Sequence, residues 1–177
     1  MKGDDMTVHK GMALLAETEL FRGLGDEKIS TLLTICTEVR FRQNQIIMAE
    51  GARGGAIYII IDGTVEVAKS LILEEPGGEE DNRANKVFTK LTAEEHPVFG
   101  EIALLEESER TATIRAITDC VFYEIKKDDL LRLAESDKEL GYLIMSNLAR
   151  IVSSRLRKAN EDVIKLTTAL SIVLKEA

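Results

Sequence analysis

Histidine and cysteine are scarce in this chain, with two of each among 177 residues. A small β-rich metalloenzyme needs clustered imidazole and carboxylate ligands, imidazole being the commonest. His9 stands in an N-terminal stretch and His96 in a loop, so neither has such company. Cys36 and Cys120 sit inside apolar patterns without metal or redox spacing, and a reduced, cytoplasmic setting is the simplest reading. No nucleophile and base pair appears, and Ser108 lies among acids. An enzyme is therefore not expected, nor a metal. Basic residues are outnumbered as well: 23 Lys and Arg face 31 Asp and Glu, a formal net charge of −8. Duplex DNA and anionic membranes are bound by a basic face, so neither is an expected partner. No apolar run reaches membrane-spanning length, and the N-terminus lacks the apolar core of a signal peptide.

What is present suffices for one domain with an added helix, since 45% of the residues are hydrophobic. Residues 1–10 read as a loose tail and 11–19 as a short helix with Met12, Leu14 and Leu15 on its apolar side. After a break at Gly23 and Gly25, Asp26 is a candidate N-cap for a helix whose apolar positions are Ile29, Leu32, Leu33 and Cys36. Strand signals then follow at 46–48, 57–61, 64–69, 86–91, 111–116 and 120–125. Asp62-Gly63 reads as a tight hairpin, and the acidic stretch from Leu73 to Arg83 as a solvated hairpin loop.

Near the C-terminus, 128–135 can form one to two helical turns, and Ser136 with Glu139 fits a capping box that opens a long helix. No proline or glycine interrupts that helix after Gly141. Within it Val152, Leu156, Ala159, Val163, Leu166, Leu170 and Val173 recur at alternating steps of four and three. That heptad seam predicts a coiled coil, and a parallel homodimer through 152–173. A single helix packed on its own domain would show a broader apolar face.

The chemistry concentrates between Phe99 and Arg115, FGEIALLEESERTATIR. Gly100 lets the backbone approach a ligand, and a helical turn opening after it would present free amides to an anion. Arg110 offers a planar fork of donors suited to phosphate, followed by the small pair Thr111-Ala112. Glu101, when ionised, is acceptor-only and suits a sugar hydroxyl. These groups together would hold a small phosphorylated ribose compound. Three carboxylates, Glu106, Glu107 and Glu109, precede Arg110 and read as solvated on a loop.

FGEIAL, a gap of eight residues after the glutamate, then RTATI closely resembles the phosphate-binding cassette of cyclic-nucleotide-binding domains. That family includes the bacterial catabolite activator protein, protein kinase A regulatory subunits and nucleotide-gated channels. The resemblance runs from about Leu14 to about Leu156. It takes in the LFxGL lead-in and a G…G…YIIxxGxVEV signature with Gly51, Gly54 and Gly63 in place. The chain departs from the pattern at 92–97, where the family commonly has a glycine-rich turn, and at Glu109, where the kinase relatives usually have proline.

The resemblance implies an α+β fold: an eight-stranded β jelly-roll barrel flanked by N-terminal helices and a long C-terminal helix. It implies a barrel domain over 1–137 and a dimerisation helix over 138–177. The implied ligand is cAMP or cGMP, with a lean towards cAMP. Arg110 would take the phosphate with amides of Ala103, Thr111 and Ala112, and Glu101 the ribose 2′-hydroxyl. Phe99 and Ile102 would anchor the turn, and Ser154 or Arg155 would cover the base. Thr111 stands where cGMP-preferring domains carry a threonine. Two alternatives accompany this reading: a degenerate domain acting as a dimeric interaction module, and the sensor fragment of a catabolite-activator-type regulator. The initial Met1 and the untagged end suggest a natural stand-alone sensor, whose downstream partner the sequence does not name.

Overall fold

The computed structural model describes residues 2–72, 83–95, 97–105 and 109–176. Residues 73–82, the stretch expected as an acidic loop, and His96, Glu106, Glu107 and Ser108 lie outside the described residues. Among the described residues eight strands and five α-helices follow in the order α1 (Lys2–Glu17), α2 (Asp26–Leu33), β1 (Cys36–Phe41), β2 (Ile46–Met48), β3 (Ala56–Asp62), β4 (Thr64–Ile72), β5 (Arg83–Thr92), β6 (Val98–Phe99), α3 (Ile102–Leu105), β7 (Thr113–Ala116), β8 (Cys120–Lys126), α4 (Lys127–Ser136) and α5 (Lys138–Glu176). The strands form two four-stranded antiparallel sheets, β1-β8-β3-β6 and β2-β7-β4-β5. This is the jelly-roll barrel with helices and a long C-terminal helix that the resemblance implies.

The β3 run Ile57-Tyr58-Ile59-Ile60 is apolar throughout because both of its faces are covered. Ile57 and Ile59 point to a helical layer with Phe21, Leu32, Leu130 and Ile144. Tyr58 and Ile60 point into the barrel with Val65, Phe99, Ile114 and Phe122. Two cores thus share one sheet, and the helices are packed on the wall of the barrel.

Several sequence expectations are corrected. The first helix begins at Lys2, so the expected loose tail is helical. Its first turns carry no apolar stripe to signal them, yet extending an existing helix costs little. Cys36 does not close α2. The chain turns after Leu33 and Cys36 opens β1, with its Sγ donating to the Leu32 carbonyl at 3.3 Å. Asp62-Gly63 is not a hairpin either. β3 and β4 lie in different sheets, and the glycine makes the corner between them. Its φ is +97°, and a Cβ there would stand 2.5 Å from the Asp119 carbonyl. The cap of α5 is Asp137 rather than Ser136. The Leu140 amide donates to Asp137 Oδ1 at 3.0 Å, while the Ser136 hydroxyl donates back to Leu133. Glu139 turns towards Lys28, at 3.3 Å, instead of closing a capping box.

Helix α5 has two regimes. Leu140, Ile144, Leu148 and Ile151 are buried at helical spacing against the helical layer. Asn147, also buried, donates from Nδ2 to the Leu20 and Arg22 carbonyls at 3.1 and 2.8 Å, tying the N-terminal segment to α5. From Ser153 to Lys175 every residue is exposed. Among the described residues no helix is long and apolar enough to cross a membrane.

Candidate functional site

Arg110 is anchored through both its backbone and its side chain. Its backbone is stapled in both directions: the Gly51 amide donates to its carbonyl and its own amide donates to Ala52, each at 2.9 Å. Its side chain is also buried, and Nη2 donates to the Ala56 carbonyl at 2.8 Å and Nη1 to Gly100 at 3.3 Å. Burial lowers the pKa of the guanidinium, while Tyr58 and Glu101 pull it back up. An arginine remains charged under such a shift. The seat depends on two glycines. A Cβ on Gly54 would stand 2.9 Å from Nη2, and one on Gly100 2.7 Å from Nη1. Gly54 therefore leaves room for the guanidinium. Gly100 also has a φ of +80°, which an L side chain rarely adopts.

Glu101 follows in sequence and is 2% exposed. Its carboxylate is ion-paired with Arg155 of α5, whose Nη2 donates to the Val98 carbonyl at 2.8 Å. Phe99 anchors the segment from below. It stacks on Tyr58 with centroids 5.8 Å apart and meets Phe122 edge-on at 5.7 Å. Tyr58 donates to Glu124 at 2.7 Å; burial, reinforced by that carboxylate, pushes its phenol up to about 12.

These residues enclose one cavity of about 440 Å³, inside the range of roughly 300–1,000 Å³ usual for small-ligand sites. Phe99, Gly100, Glu101, Ile102, Arg110, Thr111 and Ala112 all line it. Ala103 lies on the short α3 beside it. On α5, Arg155 lines the cavity and Ser154 does not; Ser154 is exposed on an adjoining face of the helix. Sequence reasoning misses the opposite wall, Val67, Thr89 and Leu91 from β4 and β5, and Lys158 one turn beyond Arg155. A helical projection from Arg155 would have found Lys158, three residues on and on the same side. Glu109, expected to be solvated, is exposed but also borders the cavity.

Among the described residues no three His, Cys, Asp or Glu side chains come together as a metal site. The cavity instead offers a buried guanidinium at one end, a buried carboxylate beside it and an apolar slot beyond. It suits an organic anion with a hydroxyl near its charge.

Comparison with known proteins agrees. The model of the family described as "Cyclic nucleotide-binding domain" matches residues 38–137. The cyclic AMP receptor protein of Thermus thermophilus is 29% identical over 144 residues, 81% of this chain and 60% of that protein. A cGMP-dependent protein kinase of Drosophila melanogaster is 28% identical over 115 residues, 65% of this chain and 9% of the kinase. The solved catabolite activator protein of Thermus thermophilus superposes with a TM-score of 0.68 at 27% identity, covering 84% of this chain and 63% of that one. The chain thus spans about three fifths of the length of the bacterial receptor it matches. With the family model matched across the barrel, and the same fold in a relative, the chain belongs to the cyclic nucleotide-binding domain family.

Proposed function

We propose that this chain is a sensor of a purine cyclic nucleotide, cAMP or cGMP, and that it signals through α5. The observation that carries the reading is the buried Arg110–Glu101 couple, with both groups facing one cavity. The Arg110 side chain donates to two carbonyls while the Glu101 carboxylate is ion-paired with Arg155, and a buried guanidinium so placed is most simply explained by a ligand that supplies the missing charge. In this reading Arg110 takes the cyclic phosphate, assisted by the amides of Ala103, Thr111 and Ala112. Glu101 accepts from the ribose 2′-hydroxyl, which excludes deoxy analogues. Ile102 and Phe99 hold the turn in place.

Arg155 then links the ligand to the helix, because it shares the Glu101 carboxylate. A ligand that changes this contact shifts α5 between positions, and its differential affinity for them sets the size of the response. The barrel unit over 1–137 would sense, and 138–177 would transmit. The exposed seam over 152–173 fits a parallel homodimer, whose a and d positions a second copy would cover. Catalysis, a duplex nucleic acid partner and a metal have no place in this reading.

The test is isothermal titration of the purified chain with cAMP and, separately, with cGMP. Binding at micromolar levels or tighter supports the proposal. The absence of heat with either, on folded protein, refutes it and favours the second reading, a degenerate domain acting as a dimeric interaction module. The observation on that side is the Glu101 carboxylate, already claimed by Arg155.

A further inference from the structure

Two cationic side chains of α5 enter the wall of the cavity, Arg155 and Lys158. Arg155 is engaged by Glu101 and the Val98 carbonyl. Lys158 makes no hydrogen bond or ion pair among the described residues. It is a cation at the edge of the cavity that the phosphate and ribose positions leave unused.

Its place relative to a ligand follows from the rest of the site. With phosphate on Arg110 and ribose on Glu101, the base occupies the remaining space, between Val67, Thr89 and Leu91 on one side and α5 on the other. Val67 and Leu91 suit the faces of a flat ring, and Lys158 borders the same slot. An ammonium group donates and never accepts. A 6-aminopurine sets a donor beside its N7 acceptor, so part of that edge opposes a cation. A 6-oxopurine sets two acceptors there, O6 and N7, which is why Lys and Arg so often read guanine.

We propose that Lys158 reads the six-position of the base, and that the cavity selects a 6-oxopurine cyclic nucleotide over a 6-aminopurine one. This rests on the cyclic-nucleotide reading of the cavity and runs against the sequence-based lean towards cAMP. It also assigns the selection to α5, the element that carries the signal.

The experiment titrates the full chain and its Lys158→Met and Lys158→Arg variants with cGMP, cIMP and cAMP. cIMP carries the 6-oxo group without the 2-amino group, so it separates Lys158 from any contact of the Thr111 hydroxyl with that amino group. The unsubstituted chain should bind cIMP and cGMP about five- to ten-fold more tightly than cAMP. Lys158→Met should bring the three affinities together, chiefly by weakening the oxo ligands, and Lys158→Arg should keep their order. The inference is overturned by cAMP binding as tightly as cIMP, or by an order that survives in Lys158→Met. A uniform loss for all three ligands in that variant also overturns it, since Lys158 would then serve the phosphate. Failure of all three to bind is a different result: it removes the cyclic-nucleotide reading itself.

Discussion

Arg155 of α5 and Glu101 of the barrel are ion-paired across 54 residues of chain, the glutamate side chain 3% exposed and the arginine side chain 51%. The contact joins a fixed wall to a helix that leaves the core within the same turn, at Val152. Removing the arginine strands a buried carboxylate, which is costly to leave without a partner. Arg155→Ala should therefore loosen the orientation of Glu101 and its grip on a ribose hydroxyl. Titration with a cyclic nucleotide and its 2′-deoxy analogue measures this. Their affinity ratio should fall about ten-fold in Arg155→Ala. An unchanged ratio would show that Glu101 needs no help from the helix.

Beside Glu101, Arg110→Ala should remove a charge-assisted contact worth roughly 1.5–3 kcal/mol, about ten- to hundred-fold in affinity. Gly100→Ala should weaken binding by a separate route. The added methyl would collide with Nη1 of Arg110 and the Ala56 carbonyl, at 2.7 and 2.8 Å, and would strain a φ of +80°. Full affinity in either variant would place the anion elsewhere.

The exposed half of α5 displays Leu156, Val163, Leu166, Leu170 and Val173, each at least 59% exposed. Replacing Val163 and Leu166 together by Glu puts like charges at the centre of the seam, and light scattering should then report a monomer. Barrel stability should hardly change, because neither residue touches the cores. A variant that remains dimeric would exclude this seam as the interface.

Cys36 provides a test of the corrected fold. Burial at the junction of α2 and β1 pushes its thiol up to about 12, against about 8.5 for a free thiol. Labelling of the native protein with a disulfide reagent should stay slow through the range where a free thiol ionises, because the thiolate is the reactive form. Both cysteines should react once the chain is unfolded. The sign for stability follows: the neutral thiol is the form the fold favours. Its contribution is complete below about 8.5 and is lost as pH rises from there towards the folded value. Labelling of native Cys36 at the rate of a free thiol would contradict its placement.

How much of this was legible depends on where the information resides. Arg110 and Glu101 are legible because they stand, with Gly100 and the small pair Thr111-Ala112, at the spacing of the cassette they resemble. β1 escaped notice because Cys36 continues the helical spacing of Ile29, Leu32 and Leu33, and only tertiary packing decides that the helix stops first. Asp62-Gly63 misled for a related reason. A corner between sheets and a hairpin within one place the same demand on a glycine, and the difference lies in partners far along the chain. Asp137 displaced Ser136 as cap because its carboxylate serves both the Leu140 amide and Lys28. Lys158 was invisible among the many charges of a surface helix until the cavity gave it a direction.

The length of α5 gives the molecule mechanical gain. At 39 residues it is a rod about 58 Å long by the helical rise. Arg155 lies about 30 Å from its far end, so a tilt of about 5° there would sweep the tip through roughly 3 Å. In the proposed dimer the seam over 152–173 would hold two such rods side by side, so their tips would move together. Under the proposed reading, a small adjustment beside Glu101 would thereby be geared up to a displacement that another protein surface can register.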